Sequence, residues 1–323
     1  MRFPHSRIAA LLACLVVAQA SAADNQKLLR IIVPYAAGGV LDSLARALST
    51  PLQGMTGQTV IVDNRPGGSS LIGMQDCADA LPDGNTYCMT VPDSLSYNPQ
   101  LFKKLPYEAS AFVPVINLGW TNGLIVVSTK SELTSYKELI KRSEAQPDRF
   151  NWATWGDASM PDVYLRWVEH QTGAKIVPIP YKGAALANQA VLSGEVDVSY
   201  MGIGVASPLI EAGRIKPIAL TGKTRSSLFP GLPTLAELGV DAGLPGYIAI
   251  FAPPKTPSAI VDRFHAQLTQ ALQTPELKRL YVQFTLDPVN ESPAQFAEFV
   301  KSDRERASKV FKALGFAPTA TSP

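Results

Sequence analysis

The sequence predicts an α/β protein of two lobes with mostly parallel sheets. Short apolar runs alternate with helical stretches along most of the chain, the grammar of βαβ units. About 300 residues remain behind an N-terminal leader, a length at which a single core usually divides. The last third changes texture: Ser226–Gly246 is rich in Pro and Gly, and a strand and three helices follow it.

Leu29–Val33 reads as the first strand. Leu41–Leu52 is the helix after it, with Leu41, Leu44, Ala45 and Leu48 on one face. Thr59–Val62 is the next strand, and Ser69–Leu81 is helical up to the turn signal Pro82-Asp83-Gly84. Tyr87–Val91 returns as a strand. The middle of the chain repeats the pattern. Leu124–Val127 is a strand, and Ser135–Ser143 is a helix in which Ser135 and Glu138 have capping-box spacing. Phe150–Thr154 is a strand that enters a glycine turn, and Asp162–Thr172 is a helix. Ile176–Ile179 is a strand that Pro178 assigns to an edge or a bulge. Ala185–Ser193 is a helix closed by Gly194; Val196–Tyr200 and Ile215–Leu220 are strands. One helix is expected around Leu235. Tyr247–Phe251 is a strand, and Ser258–Leu272, Pro275–Gln283 and Pro293–Leu314 are helices. The expected division puts 24–124 and 246–323 in one lobe and 125–245 in the other. The chain then crosses twice, with hinges near Val127 and Tyr247.

Residues 1–22 carry the marks of a secretory signal peptide. Arg2 and Arg7 precede Ile8–Ala18, an unbroken apolar run of eleven residues, and Ala20-Ser21-Ala22 is a small-residue exit. The run is too short to span a bilayer. Losing Arg2 and Arg7 takes the formal charge from +2 to zero, and a neutral chain without a basic run is a poor nucleic-acid binder. Cys77 and Cys88 remain after the leader. In an oxidising compartment they form a disulfide or stay as two buried thiols. The disulfide is favoured, because Cys77 falls late in a helix and Cys88 in the next strand.

Enzyme chemistry is poorly represented. His5 leaves with the leader, so His170 and His265 are the remaining imidazoles, each in a predicted helix. His-Glu-x-x-His, Cys-x-x-Cys and Gly-x-Ser-x-Gly are all absent. Gly222-Lys223-Thr224 resembles the end of a phosphate loop, but Pro217 stands where that loop requires glycine. Gly202–Ser207 is a near-miss of a dinucleotide turn. No catalytic residue, metal site or cofactor is expected.

Five strand ends run into loops of Gly and small residues: Ala36–Gly39, Pro66–Ser70, Thr154–Ser159, Lys182–Ala184 and Gly202–Gly204. Ligands of open α/β sheets sit outside the carboxyl ends of the strands. Glycines let the backbone approach closely, and helix N-termini add free N–H groups and a positive dipole end. Five such loops, brought together, make an anion site that needs no cationic side chain, and a carboxylate is the natural guest. The expected ligand-binding residues are Tyr35, Ala37, Gly38, Gly39, Val40, Leu41, Asp42, Gly68, Ser69, Thr154, Trp155, Ser159, Tyr181, Gly183 and Gly202.

Six blocks in order carry a family resemblance. Ile31–Gly39 with Asp42 and Ala45-Arg46, Val62–Gly68, Pro82–Thr86, Ile179–Ala184, Leu232–Gly239 and Ala252–Pro257 look like the signature of the tripartite tricarboxylate transporter receptors, also called the Bug family. The match covers nearly the whole mature chain. The resemblance implies a type II periplasmic-binding fold, a periplasmic location, capture of small carboxylates, and delivery to a membrane permease with a large and a small subunit. A monomer without a nucleic-acid partner is expected.

Departures from the family pattern bear on the ligand. Val40-Leu41 stands where the family often has Pro-Thr or Pro-Ser, Gly67–Ser70 replaces Gly-Ala-Gly-Gly, and the third loop holds Trp155 and Asp157. A pocket more apolar on one side follows, suited to an aromatic or apolar-bodied carboxylate rather than citrate. The hydroxyl of Tyr181 is expected to bond the carboxylate while its ring packs, and Arg65 is read as a loop anchor. A ligand sensor that signals to a membrane kinase shares this fold and site and is the alternative; an exported enzyme on the same fold is disfavoured.

Overall fold

The computed structural model describes residues 28–318 except 157, 158, 182, 223, 224 and 227. The expected signal peptide lies outside the described residues. Two sheets organise the chain. β1 (Leu28–Val33), β2 (Thr59–Asn64), β3 (Thr86–Thr90), β4 (Val113–Thr121), β10 (Gly246–Ala252) and β11 (Leu286–Asp287) lie in the order β11-β4-β10-β3-β1-β2. β5 (Gly123–Ser128), β6 (Asn151–Thr154), β7 (Val177–Pro180), β8 (Val198–Gly202) and β9 (Ile215–Leu220) lie in the order β7-β6-β8-β5-β9. Pro178 sits on the edge strand β7, where its missing N–H costs the ladder nothing.

Each sheet is mixed rather than mostly parallel. β1 is parallel to β2 and β3, and β6 to β7 and β8; the remaining neighbours are antiparallel. The cause is the double crossing. β5 and β10 bring the chain into a sheet from the end at which the βαβ strands finish, so they run the other way. Gly123 at the start of β5 faces Gly202 at the end of β8, and Gly246 at the start of β10 faces Thr121 at the end of β4. The first passage between the sheets is therefore at Asn122. Val127 lies inside β5, fully buried and paired on both sides. The return passage spans 221–245.

Helices α1 (Val40–Thr56), α2 (Leu71–Ala78), α4 (Tyr136–Ala145), α5 (Met160–Thr172), α6 (Ala184–Ser193) and α7 (Ile203–Glu211) link the strands, with the short α3 (Asn98–Leu101) after β3. α8 (Ser258–Ala271), α9 (Pro275–Phe284) and α10 (Pro293–Ala313) close the chain. Leu44 and Leu48 of α1 pack with Ile31, Val33 and Phe264 in the core of the larger sheet. Leu139, Leu165 and Trp152 do the same in the smaller one. Ser135 caps α4 by accepting from the Glu138 amide at 3.2 Å. Around Leu235 the expected helix is a turn in which Thr234 and Glu237 bond each other's amides. Helix α2 begins two residues later than expected, because Gly67, Gly68, Ser69 and Ser70 all have positive φ. Cys77 of α2 and Cys88 of β3 are bonded and fully buried. Among the described residues no helix is long and apolar enough to cross a membrane.

Candidate functional site

The register of each sheet sets where the loops point. β1, β2 and β3 finish at one end of the larger sheet, and β6, β7 and β8 finish at one end of the smaller. Both ends border the passages at Asn122 and Gly246. The five glycine loops thus sit on the two sides of the crossings, in two groups.

In the first group, Tyr35–Gly39 leads into α1 and Gly67–Ser70 into α2. Asn64 donates to the Tyr35 carbonyl at 3.2 Å. Asn98 donates to the Ser69 carbonyl at 2.8 Å. Ser94 holds three neighbours: the hydroxyls of Ser70 at 2.8 Å, Thr90 at 2.6 Å and Tyr35 at 3.4 Å. Gly73 fixes the spacing of the loops, since a β-carbon there would lie 2.7 Å from the Pro34 side chain and 2.8 Å from the Arg65 carbonyl. Arg65 anchors its loop as expected of it: its amide bonds the Val33 carbonyl, and its guanidinium shares Asp63 with Arg30. The amides of Val40 and Leu41 open α1 and have no partner within the helix, so they remain available to an anion. Both side chains are half-buried against the core of the larger sheet, which reduces the wall they offer a ligand.

Asp42 is turned inward. It accepts from the Gly38 amide at 2.9 Å and from Arg46 at 3.0 Å, and is 5% exposed. Burial alone raises its carboxyl, but the Arg46 and Gly38 hydrogen bonds and the Arg46 charge outweigh that and hold it below the usual carboxylate range. Asp42 therefore braces the loop, and it occupies the Gly38 N–H that would otherwise face a ligand.

In the second group, the Tyr181 amide bonds the Thr154 carbonyl at 2.9 Å, which ties the loops after β6 and β7. Thr154 is fully buried. Ser159 stands before α5 without bonding its amides: its hydroxyl turns back to the loop, donating to the Gly156 carbonyl at 2.7 Å and accepting from the Trp155 amide at 3.2 Å. Gly183 stands at φ +99° before α6, and Gly202 precedes α7. The Tyr181 hydroxyl does not turn to the loops; it donates to Glu195 at 2.7 Å. The Trp155 ring packs edge-on against Tyr200 with centroids 5.5 Å apart, and its indole N–H is buried without a partner. Tyr200 crosses Gly123, where any β-carbon would overlap its ring, and stacks on Tyr164. Gly204 serves packing: its Cα lies against the end of α9, where a β-carbon would be 2.5 Å from the Gln283 carbonyl.

Several residues at this site escaped the sequence reading. Asp93 opens a π-helical turn, Asp93–Tyr97, directly after β3. Its Oδ1 is buried without a hydrogen-bond partner, and burial raises its carboxyl to about 6. Ile72, Leu186 and Val205 are 53%, 46% and 51% exposed and stand in the first turns of α2, α6 and α7. The signal for the latter was an apolar residue one or two positions after each of these glycine loops. Neither remaining histidine belongs to the loops: His170 is exposed beside Trp167, and His265 bonds the Glu291 carbonyl. A cavity of about 260 Å³ beside the passages is lined by Trp120, Asn122, Thr221, Asp241 and Leu244, and none of the five loops contributes to it. Among the described residues no group of acids, histidines and cysteines is placed to hold a metal ion.

Comparison with known proteins places this geometry in a lineage. The profile of the family described as "Tripartite tricarboxylate transporter family receptor" matches residues 44–316. A UPF0065 protein of Bordetella pertussis is 27% identical over 319 residues, covering 98% of this chain and 99% of its own. Two solved structures superpose closely. R. palustris Rpa4515 with adipate has a TM-score of 0.79 at 28% identity, covering 91% of this chain and 99% of that one. The periplasmic binding protein BugD has a TM-score of 0.78 at 26% identity, covering 92% and 100%. The fold is that of periplasmic binding proteins.

Proposed function

Because the chain belongs to the tripartite tricarboxylate transporter family of receptors, we propose that it captures a small, apolar-bodied carboxylate in the cleft between two hinged lobes. In this reading the lobes are 24–124 with 246–323, and 125–245. The protein is exported by its signal peptide and acts as a periplasmic monomer. It hands its ligand to a membrane permease of one large and one small subunit. The observation that carries the reading is the position of helix N-termini beside the crossings: the first-turn amides after Gly39, Ser159 and Gly183 suit a carboxylate. The adipate held by Rpa4515 supports the ligand class. The exposed Ile72, Leu186 and Val205 support an apolar body, since a closing cleft gains by covering them. Trp155 adds an aromatic wall.

Calorimetry against citrate, adipate, benzoate and 4-methylbenzoate tests this. An aromatic or long-chain acid is expected to bind at least tenfold tighter than citrate. Tight citrate binding with no response to the others overturns the apolar body, and silence across the panel overturns the carboxylate class.

A further inference from the structure

We propose that Asp93 forms a cation subsite on the cleft floor, so that the ligand is an apolar-bodied carboxylate that also carries an ammonium group. The inference rests on the carboxylate reading and describes the other end of the same ligand.

Position comes first. Asp93 follows Pro92 at the end of β3, and the next residue, Ser94, holds Tyr35 and Ser70 of the first two loops. The opposite sheet also reaches it. Tyr97, which ends the same π turn, packs in one buried cluster with Val163 of α5. The π turn that Asp93 opens therefore borders elements of both sheets.

Its surroundings come second. Asp93 is half-buried by its own surface, yet protein crowds it enough to push its carboxyl up to about 6. Its Oδ1 is covered by protein and has no hydrogen-bond partner. Asp303 shows how this fold treats an acid that is structural: it is fully buried and bonds Ser96 at 2.6 Å, Tyr247 and Arg306. Asp93 has no such set. Its own amide is the one hydrogen bond that favours its charge. Tyr35, Tyr97 and Tyr200 face it from the loop after β1, the π turn and β8, and none of them is charged at neutral pH.

Chemistry then selects the partner. A carboxylate that is partly buried and unpaired is unfavourable, and a cation brought by the ligand relieves it. The rings of Tyr35, Tyr200 and Trp155 add faces that attract an ammonium group. A second carboxylate at this position would meet Asp93 as a like charge. Among the described residues no further acids, histidines or cysteines join Asp93 to hold a divalent ion.

Calorimetry at pH 7.5 with 4-(aminomethyl)benzoate, 4-methylbenzoate and terephthalate tests the subsite. The ammonium ligand is expected to bind roughly tenfold tighter than the other two, and Asp93→Asn is expected to erase that preference. The unaltered protein supplies an independent test. Binding the cation lowers the Asp93 pKa, so the preference is full above about 6 and shrinks as pH falls to 5. Equal binding of the three ligands, or a preference that survives both in Asp93→Asn and at pH 5, overturns the subsite while leaving the carboxylate reading intact. Silence of all three together with the earlier panel overturns both.

Discussion

Asp42 shows how a residue's partners decide its role. The sequence reading sets it among the ligand-binding residues beside a glycine turn, with helix support through its i, i+4 spacing to Arg46 as the other role. In the structure its carboxylate bonds Gly38 and Arg46, and it is a brace. Asp42→Ala is expected to lower stability by about 1–3 kcal/mol, read from urea denaturation at pH 7. The folded-state pKa of Asp42 lies below its ordinary value. Its contribution is thus present above about pH 4 and is lost as pH falls through the lowered value. The gap between wild type and Asp42→Ala should therefore close toward pH 2; a gap that stays constant from pH 7 to 2 refutes the brace. Tyr181 was legible as a residue that packs at the loops, but its hydroxyl partner was not. Glu195 lies beyond α6, and pairings of that range follow from helix placement, not from local pattern.

At the scale of elements, the turns after β1 and β2 depend on how closely α2 approaches. Gly73 permits that approach, and the atoms a side chain would meet include the Arg65 carbonyl and the Pro34 backbone, neither of which can rotate away. Gly73→Ala is expected to cost about 1–3 kcal/mol and to weaken carboxylate binding. Gly54→Ala, in open space on α1, is expected to add up to about 1 kcal/mol. Denaturant midpoints of the two variants check the contrast, and equal shifts would refute the packing role of Gly73. The β-strand and helix pattern was legible wherever period and punctuation agreed, as in α1, α4, α6 and β9. It failed at Ser69 and Ser70, whose left-handed backbone delays α2, because φ at a serine is set by the Asn98 and Ser94 bonds that hold it. β4 was not anticipated at all, although it lies inside the larger sheet between β10 and β11.

For the whole molecule, the two passages beside the loop ends imply that closure brings the loop groups together. A bound ligand is expected to lower the radius of gyration in small-angle X-ray scattering, with Ile72, Leu186 and Val205 becoming covered. An unchanged radius at saturating ligand refutes the hinged reading. The sequence by itself determined the αβ alternation, the glycine loops and the family, because these rest on local periodicity, turn chemistry and ordered blocks of residues. Tertiary structure alone decided that β5 and β10 run against their neighbours. It also decided that Asp42 faces inward, and that the Asp93 Oδ1 is buried without a hydrogen-bond partner. Strand direction follows from where the chain crosses, and the environment of an acid is set by the packing of residues around it, many of them distant in sequence.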